Sequence, residues 1–107
     1  DEVVVVADKV LSIDPFNIEA REKRVEALSK LGQHQEAVSA THQLARIDPE
    51  RRVEYHLKRI DLLIQAKDWN HAEREALLLL EEFPHFWEGQ QRLLTIVEHD
   101  EPRESLQ

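Results

Sequence analysis

The stretch Ala27-Leu28-Ser29-Lys30-Leu31-Gly32-Gln33-His34-Gln35-Glu36-Ala37 is answered, in kind and in order, by Leu62-Leu63-Ile64-Gln65-Ala66-Lys67-Asp68-Trp69-Asn70-His71-Ala72. Just upstream, Lys23-Arg24-Val25-Glu26 is echoed by Lys58-Arg59-Ile60-Asp61. Outward from these copies the punctuation keeps the same beat. Asp14-Pro15 returns as Asp48-Pro49, 34 residues on, and Phe83-Pro84 follows 35 residues after that. A period in this range is the mark of stacked supersecondary units, none of which buries its apolar face alone.

Each unit reads as two helices. Ala20, Arg24, Ala27, Leu28 and Leu31 recur at three- and four-residue spacing, which makes one helix face. Gly32 breaks the pattern and suits a C-terminal cap. Apolar positions resume at Ala37, Val38, Thr41, Leu44, Ala45 and Ile47. Asp48-Pro49 then ends that helix and opens the next, Asp as N-cap and Pro at the first helical position. The second unit repeats the plan through Tyr55, Ile60, Leu63 and Ile64, turns near Lys67-Asp68 with Asp68 as N-cap, and runs on through Ala72, Ala76, Leu79, Leu80 and Phe83. Helices are predicted over about 2–13, 17–31, 34–47, 49–66, 69–83 and 86–98. Val3 to Val6 is a strand-like word, and the phase of the repeat assigns it to a helix.

Residues 1–98 therefore form one repeat domain: a half-unit at 1–13, full units at about 17–48 and 50–83, and a half-unit at 86–98. A polar tail, 99–107, follows. The start without Met and the half-units at both ends suggest a fragment excised from a longer chain. Two helices approach closely only where a side chain is small, so Ala37 and Ala72 are expected at the helix crossings.

This plan resembles the tetratricopeptide repeat family, whose pattern is W-x2-L-G-x2-Y, then A-x3-F, then P. Ala37 and Ala72 fill its alanine slot, Pro49 and Pro84 its proline slot. Leu28 and Leu63 stand in its tyrosine slot. The Trp slot holds Arg21 and His56, the Leu slot Arg24 and Arg59, the Gly slot Val25 and Ile60, and the Phe slot Thr41 and Ala76, so the repeats are divergent. The resemblance implies an all-α fold, antiparallel helix pairs stacked as a right-handed α-solenoid. It implies a concave groove, lined by the first helix of each unit, that binds peptides or helices of partner proteins.

Composition sets the limits. Of 107 residues 41% are hydrophobic and 34% charged, too apolar for a disordered chain. The net charge is −8, which argues against a general nucleic-acid binder, since phosphate contact needs a cationic surface. No apolar run is long enough to cross a membrane. With no Cys, there is no disulfide framework, thiolate metal site or cysteine nucleophile. The chain carries no G-x-S-x-G, His-Glu-x-x-His or phosphate loop, and its 2 Gly are too few for a Gly-rich cradle. Neither a catalytic centre nor a cofactor is expected. The single Glu82-Phe83-Pro84-His85 is interrupted by its proline and reads as a turn.

The expected role is a protein-interaction module. Alternatives are a structural spacer or self-association segment of a longer solenoid, and an accessory domain of a larger enzyme or secretion protein. The candidate groove residues are Glu19, Glu22 and Glu26, then Glu54, Leu57 and Asp61, then Glu88, an acidic surface that would select a basic or neutral protein or peptide. Arg24 and Arg59 recur on the same helices as possible groove arginines. For Arg24 the expected acid partner is Glu36 or Glu26, and for Arg59 it is Asp61 or Glu75. Some tetratricopeptide domains grip acidic chaperone tails with a clamp of Lys, Asn and Arg. The matching slots here hold Glu22, Glu26, Lys58, Glu88 and Arg92, so that clamp is broken. Phe83, Phe86 and Trp87, clustered around a turn, are expected in packing between successive units, the alternative being an exposed anchor for a partner or for a missing next helix, and Trp69 is expected in core packing. Val3 to Val6 at one end, and Leu93, Leu94, Ile96 and Val97 at the other, are expected as exposed apolar surface that favours homo-oligomers through open repeat ends.

Overall fold

The computed structural model describes residues 1–99, and every regular element among them is helical. The helices are α1 (Glu2–Ile13), α2 (Ile18–Lys30), α3 (His34–Ile47), α4 (Arg52–Gln65), α5 (Trp69–Glu82) and α6 (Trp87–His99), with a 3-10 turn at Pro49–Arg51 before α4. Of the polar tail expected at 99–107, only His99 is described, and it closes α6. The chain divides into two compact units, Asp1–Tyr55 and His56 onward, with α4 passing from one into the other.

In the first unit α1 packs on α2 and α2 on α3. Helix α1 is helical despite its β-branched run. The Asp1 carboxylate accepts from the Val3 N–H at 2.7 Å, Glu2 adds charge to the first turn, and Ala7 is buried on the inner face. Local β propensity is weak against such packing. Asn17 caps α2 by accepting from Ala20 N–H at 2.9 Å. Val25, Ala27 and Leu28 bury one side of α2, and Ala37, Ala40, Thr41 and Leu44 bury α3. The Thr41 hydroxyl, unexposed, donates to the Ala37 carbonyl at 2.7 Å and so meets its own hydrogen-bonding need within the helix.

In the second unit α5 packs on α6. Ile60, Leu62, Ala72, Ala76, Leu79 and Ile96 are fully buried. Gly89 sits in α6 where α5 passes close. A Cβ there would come within 3.2 Å of Leu80 Cδ2 and 3.3 Å of Leu79 Cδ2.

Two pairs of turns share their backbone pattern. After α2, Gln33 N–H bonds to the Leu28 carbonyl. After α4, Asp68 N–H bonds to the Leu63 carbonyl, the same six-residue closure. The left-handed residue that permits it is Gly32 (φ 79°) in one case and Lys67 (φ 59°) in the other. The turns ahead of α2 and α6 match as well. Arg21 Nε donates to the Pro15 carbonyl and Gln90 Nε2 to the Pro84 carbonyl, each six residues back.

The turn before α4 departs from this plan. Asp48 makes no side-chain cap, and Pro49 opens a 3-10 turn rather than the α-helix itself. The Asp48 carboxylate is engaged elsewhere, accepting from the Tyr55 hydroxyl at 2.7 Å and lying 3.5 Å from Arg51 Nε. The reason is one extra residue in this turn. Pro15 and Pro49 are 34 apart, yet the buried positions Ala20 and Val25 correspond to Tyr55 and Ile60, 35 apart. Burial of the Tyr55 ring, with the Asp48 contact and charge, pushes its phenol up to about 12.

Candidate interaction surface

The outer face of α1 is built from one sequence fact: every third or fourth position is valine. Val3 is 48% and Val6 50% exposed, and Val10 is half-buried. Because α2 packs beside α1, these side chains form one wall of a groove of about 500 Å³ whose other wall is Asn17, Glu19, Ala20 and Lys23. Glu2, Glu19 and Lys23 supply its charged lining, and its floor, at Ala7 and Ala20, is apolar and buried. An exposed apolar strip rimmed by charge can bury apolar surface of another molecule.

Of the seven acidic-groove candidates, Glu19 alone lines this groove. In the first unit Glu22 and Glu26 lie exposed on α2, Glu22 3.8 Å from Arg51, and Glu54 lies exposed on α4. In the second unit Leu57 is half-buried and Glu88 is exposed at the start of α6. Asp61 is not a free acid. Arg92 reaches it from α6 with two bonds, Nε to Oδ1 at 3.0 Å and Nη2 to Oδ2 at 3.3 Å. That pairing removes one negative charge from the expected field.

The two repeated arginines are struts between helices. In the first unit Arg24 Nε donates to Asp8 Oδ1 on α1 at 2.8 Å, not to Glu26 or Glu36. The bond ties α2 to the preceding helix, on which it packs. In the second unit Arg59 is buried and turns to the following helix, Nε lying 3.4 Å from Glu75 Oε1 on α5. His56 Nε2 lies 3.1 Å from the same oxygen without hydrogen-bond geometry, and Arg59 Nη1 is buried with no hydrogen-bond partner. Contact with His56, then the Arg59 charge, outweighs burial and lowers the Glu75 carboxyl to about 2.

Ala37 and Ala72 are wholly buried, on α3 and α5 respectively. Trp69 is half-buried and stacks on His99, centroids 5.1 Å apart and planes 3° from parallel. Trp87 is exposed and so does not take the packing role expected of it, and Phe16 is exposed in the turn before α2. At the second end Leu94 is 56% exposed and Leu93 and Val97 are half-buried, but Ile96 is fully buried and does not belong to the exposed set.

Sequence reasoning found the valines and missed the opposite wall. Asn17, Ala20 and Lys23 belong to a separate helix, and only the packing of α2 on α1 brings them across from Val3 and Val6. Among the described residues no group of three His, Asp or Glu side chains is placed to hold a metal, and no helix is long and apolar enough to cross a membrane. No protein-family model matches the chain, and no curated protein matches it.

Proposed function

We propose that the chain is a protein-interaction module of stacked, tetratricopeptide-like helix pairs, forming a right-handed solenoid, which receives an apolar segment of a partner protein in the α1–α2 groove. The observation that carries this reading is the groove itself: about 500 Å³, walled by half-exposed valines and edged with charge. Helix-in-groove docking uses anchors at three- and four-residue spacing, and Val3, Val6 and Val10 present holes and ridges at that spacing. The acids around it set the partner's charge. Glu2 and Glu19 line the groove, and Glu22 and Glu26 are exposed beyond Glu19 on α2, against the one lysine Lys23. An apolar segment flanked by Lys or Arg fits this field, and an acidic one is repelled.

The test is an NMR titration of the isotope-labelled chain with two amphipathic peptides of equal apolar content, one flanked by Lys and one by Glu. The Lys-flanked peptide should shift the amides of Val3, Val6 and Ala20 and bind more tightly, with the preference shrinking as salt is added. Tighter binding of the Glu-flanked peptide overturns the charge argument. Absence of binding by either overturns the assignment of the groove.

A further inference from the structure

Helix α5 carries four leucines in a row, Leu77 to Leu80, and its packing uses only two of them. Leu79 is buried, and Leu79 and Leu80 are the side chains that close on Gly89 of α6. Towards α4 the helix presents Glu75, which meets Arg59. Leu77 and Leu78 point away from both and are 49% and 48% exposed. With about 100° between successive residues, Arg74, Leu77, Leu78 and Glu81 share one exposed arc, opposite the buried Ala72, Ala76 and Leu79. This face is outward by position and not for want of a neighbour. In α3 the same positions hold His42 and Gln43, and in α1 Asp8 and Lys9. All four are exposed, although α4, α5 and α6 still follow α3 in the chain. A lone exposed leucine is ordinary. Here a polar pair is replaced by two leucines in one helix of three, with a cation one turn before them and an anion one turn after.

We propose that this face of α5 docks on the same face of a second copy, the two helices lying antiparallel about a two-fold axis that passes between Leu77 and Leu78. The pattern is its own complement. Arg74 and Glu81 lie equally far from that axis on opposite sides, so Arg74 of each copy meets Glu81 of the other. Leu77 packs on Leu77 and Leu78 on Leu78 in the space between the two ion pairs. The next acids out, Glu73 and Glu82, fall on opposite edges of the face, so the symmetry does not bring them together. A contact between identical surfaces closes on itself, and association stops at two. The patch is one helix wide, which puts the dimer at the weak end of specific interfaces. It lies on a different helix from the α1–α2 groove and does not depend on what that groove binds.

The experiment is sedimentation equilibrium on the full chain from about 10 μM to about 1 mM. The variants are Arg74→Glu, Glu81→Arg, their equimolar mixture, and the double substitution Leu77→His with Leu78→Gln, which restores the pair that α3 carries. All four positions are exposed, so helicity and melting temperature should stay as in the parent, which circular dichroism verifies. The parent should pass from monomer to dimer and go no further. Each charge reversal alone sets like charges against each other at both pairs and should weaken the dimer at least about 10-fold. In the mixture opposite charges face each other again, so the mixed dimer should form within about threefold of the parent's affinity. The leucine replacement should leave a monomer throughout. A monomeric parent overturns the proposal, as does growth beyond the dimer. A dimer that survives the leucine replacement or both charge reversals is formed elsewhere on the chain and overturns it too. A mixture no tighter than its components excludes the antiparallel Arg74–Glu81 register, and the proposal fails with it.

Discussion

Arg59 and Glu75 are joined across 3.4 Å between α4 and α5, in a position where the arginine is buried and its Nη1 has no hydrogen-bond partner. An arginine so placed depends on that carboxylate, because a buried cation without a counter-charge is far costlier than the pair. Replacing Glu75 by Gln should destabilise the domain by about 2–3 kcal/mol, read as a lower urea midpoint at neutral pH. Glu75, its carboxyl lowered first by the contact with His56 and then by the Arg59 charge, also gives the domain an acid limb. The Glu75 carboxyl is lowered from 4.5 to about 2, so its contribution is full above about 4.5 and is lost as the pH falls towards 2. Urea midpoints across that window should fall in the parent and fall less in the Glu75→Gln variant.

Tyr55 offers a second pH signature, at the opposite end of the scale. It is the only tyrosine in the chain, so an ultraviolet titration reports it alone. Its phenol should ionise near 12 in the folded protein. Folding favours the neutral form, so stability should decline once the pH passes the ordinary value of 10.0. Tyr55→Phe removes the bond to Asp48 and should cost about 1 kcal/mol at neutral pH. A titration midpoint at the ordinary value would show that neither the burial of the ring nor its bond to Asp48 holds in solution.

The paired turns predict opposite signs for opposite substitutions. Gly32→Ala places a Cβ on a left-handed residue and should destabilise by about 1 kcal/mol. Lys67→Gly relieves a side chain already in that region and should be neutral or stabilising, by up to about 1 kcal/mol. Thermal melts of the two variants decide it, and two shifts of the same sign would count against the equivalence of the turns.

Ala72 has no exposed surface, so leucine there must displace its neighbours. Ala72→Leu should lower stability by about 1–3 kcal/mol. A variant melting with the parent would mean that the site is not a close crossing.

Arg92 masks Asp61. Its removal by Arg92→Ala should change stability by less than about 1 kcal/mol, because both side chains are partly exposed. It frees an acid on the second unit, and binding of a Lys-rich peptide measured by fluorescence anisotropy should tighten. No change there would show that Asp61 plays no part in charge selection.

The helices were legible in the sequence because period, cap and small residue agreed. The expected spans meet the observed ones within a residue or so in α1, α2, α3, α5 and α6, and α4 begins three residues later than expected. The valine run follows the phase of the repeat and not its local β propensity, and is helical. The side-chain partners were not legible. Arg24 and Arg59 share a motif and a helix position, yet one reaches back to Asp8 and the other forward to Glu75. The difference lies in the neighbouring helices: where α5 offers Glu75, α3 offers Ala40, and a repeat aligned on its apolar face is silent about such exchanges. The partner of Asp61 was hidden for a similar reason, because Arg92 reaches it from α6, 31 residues later. Spacing along one helix cannot reveal a counter-ion supplied by another.

The extra residue taken up between Pro49 and Tyr55 has a consequence for how such a chain can change length. Inside an α-helix one added residue turns every later side chain by about 100° and carries the apolar face away from its neighbour. Here the addition falls in the 3-10 turn, and Tyr55 and Ile60 still point inward. The turn acts as an expansion joint. Insertions at Glu50 or Arg51 should be absorbed there without rephasing α4, whereas the same insertion at Leu62 would rotate the rest of α4 out of register. A change of length placed in this turn therefore leaves the buried face of α4 where it was.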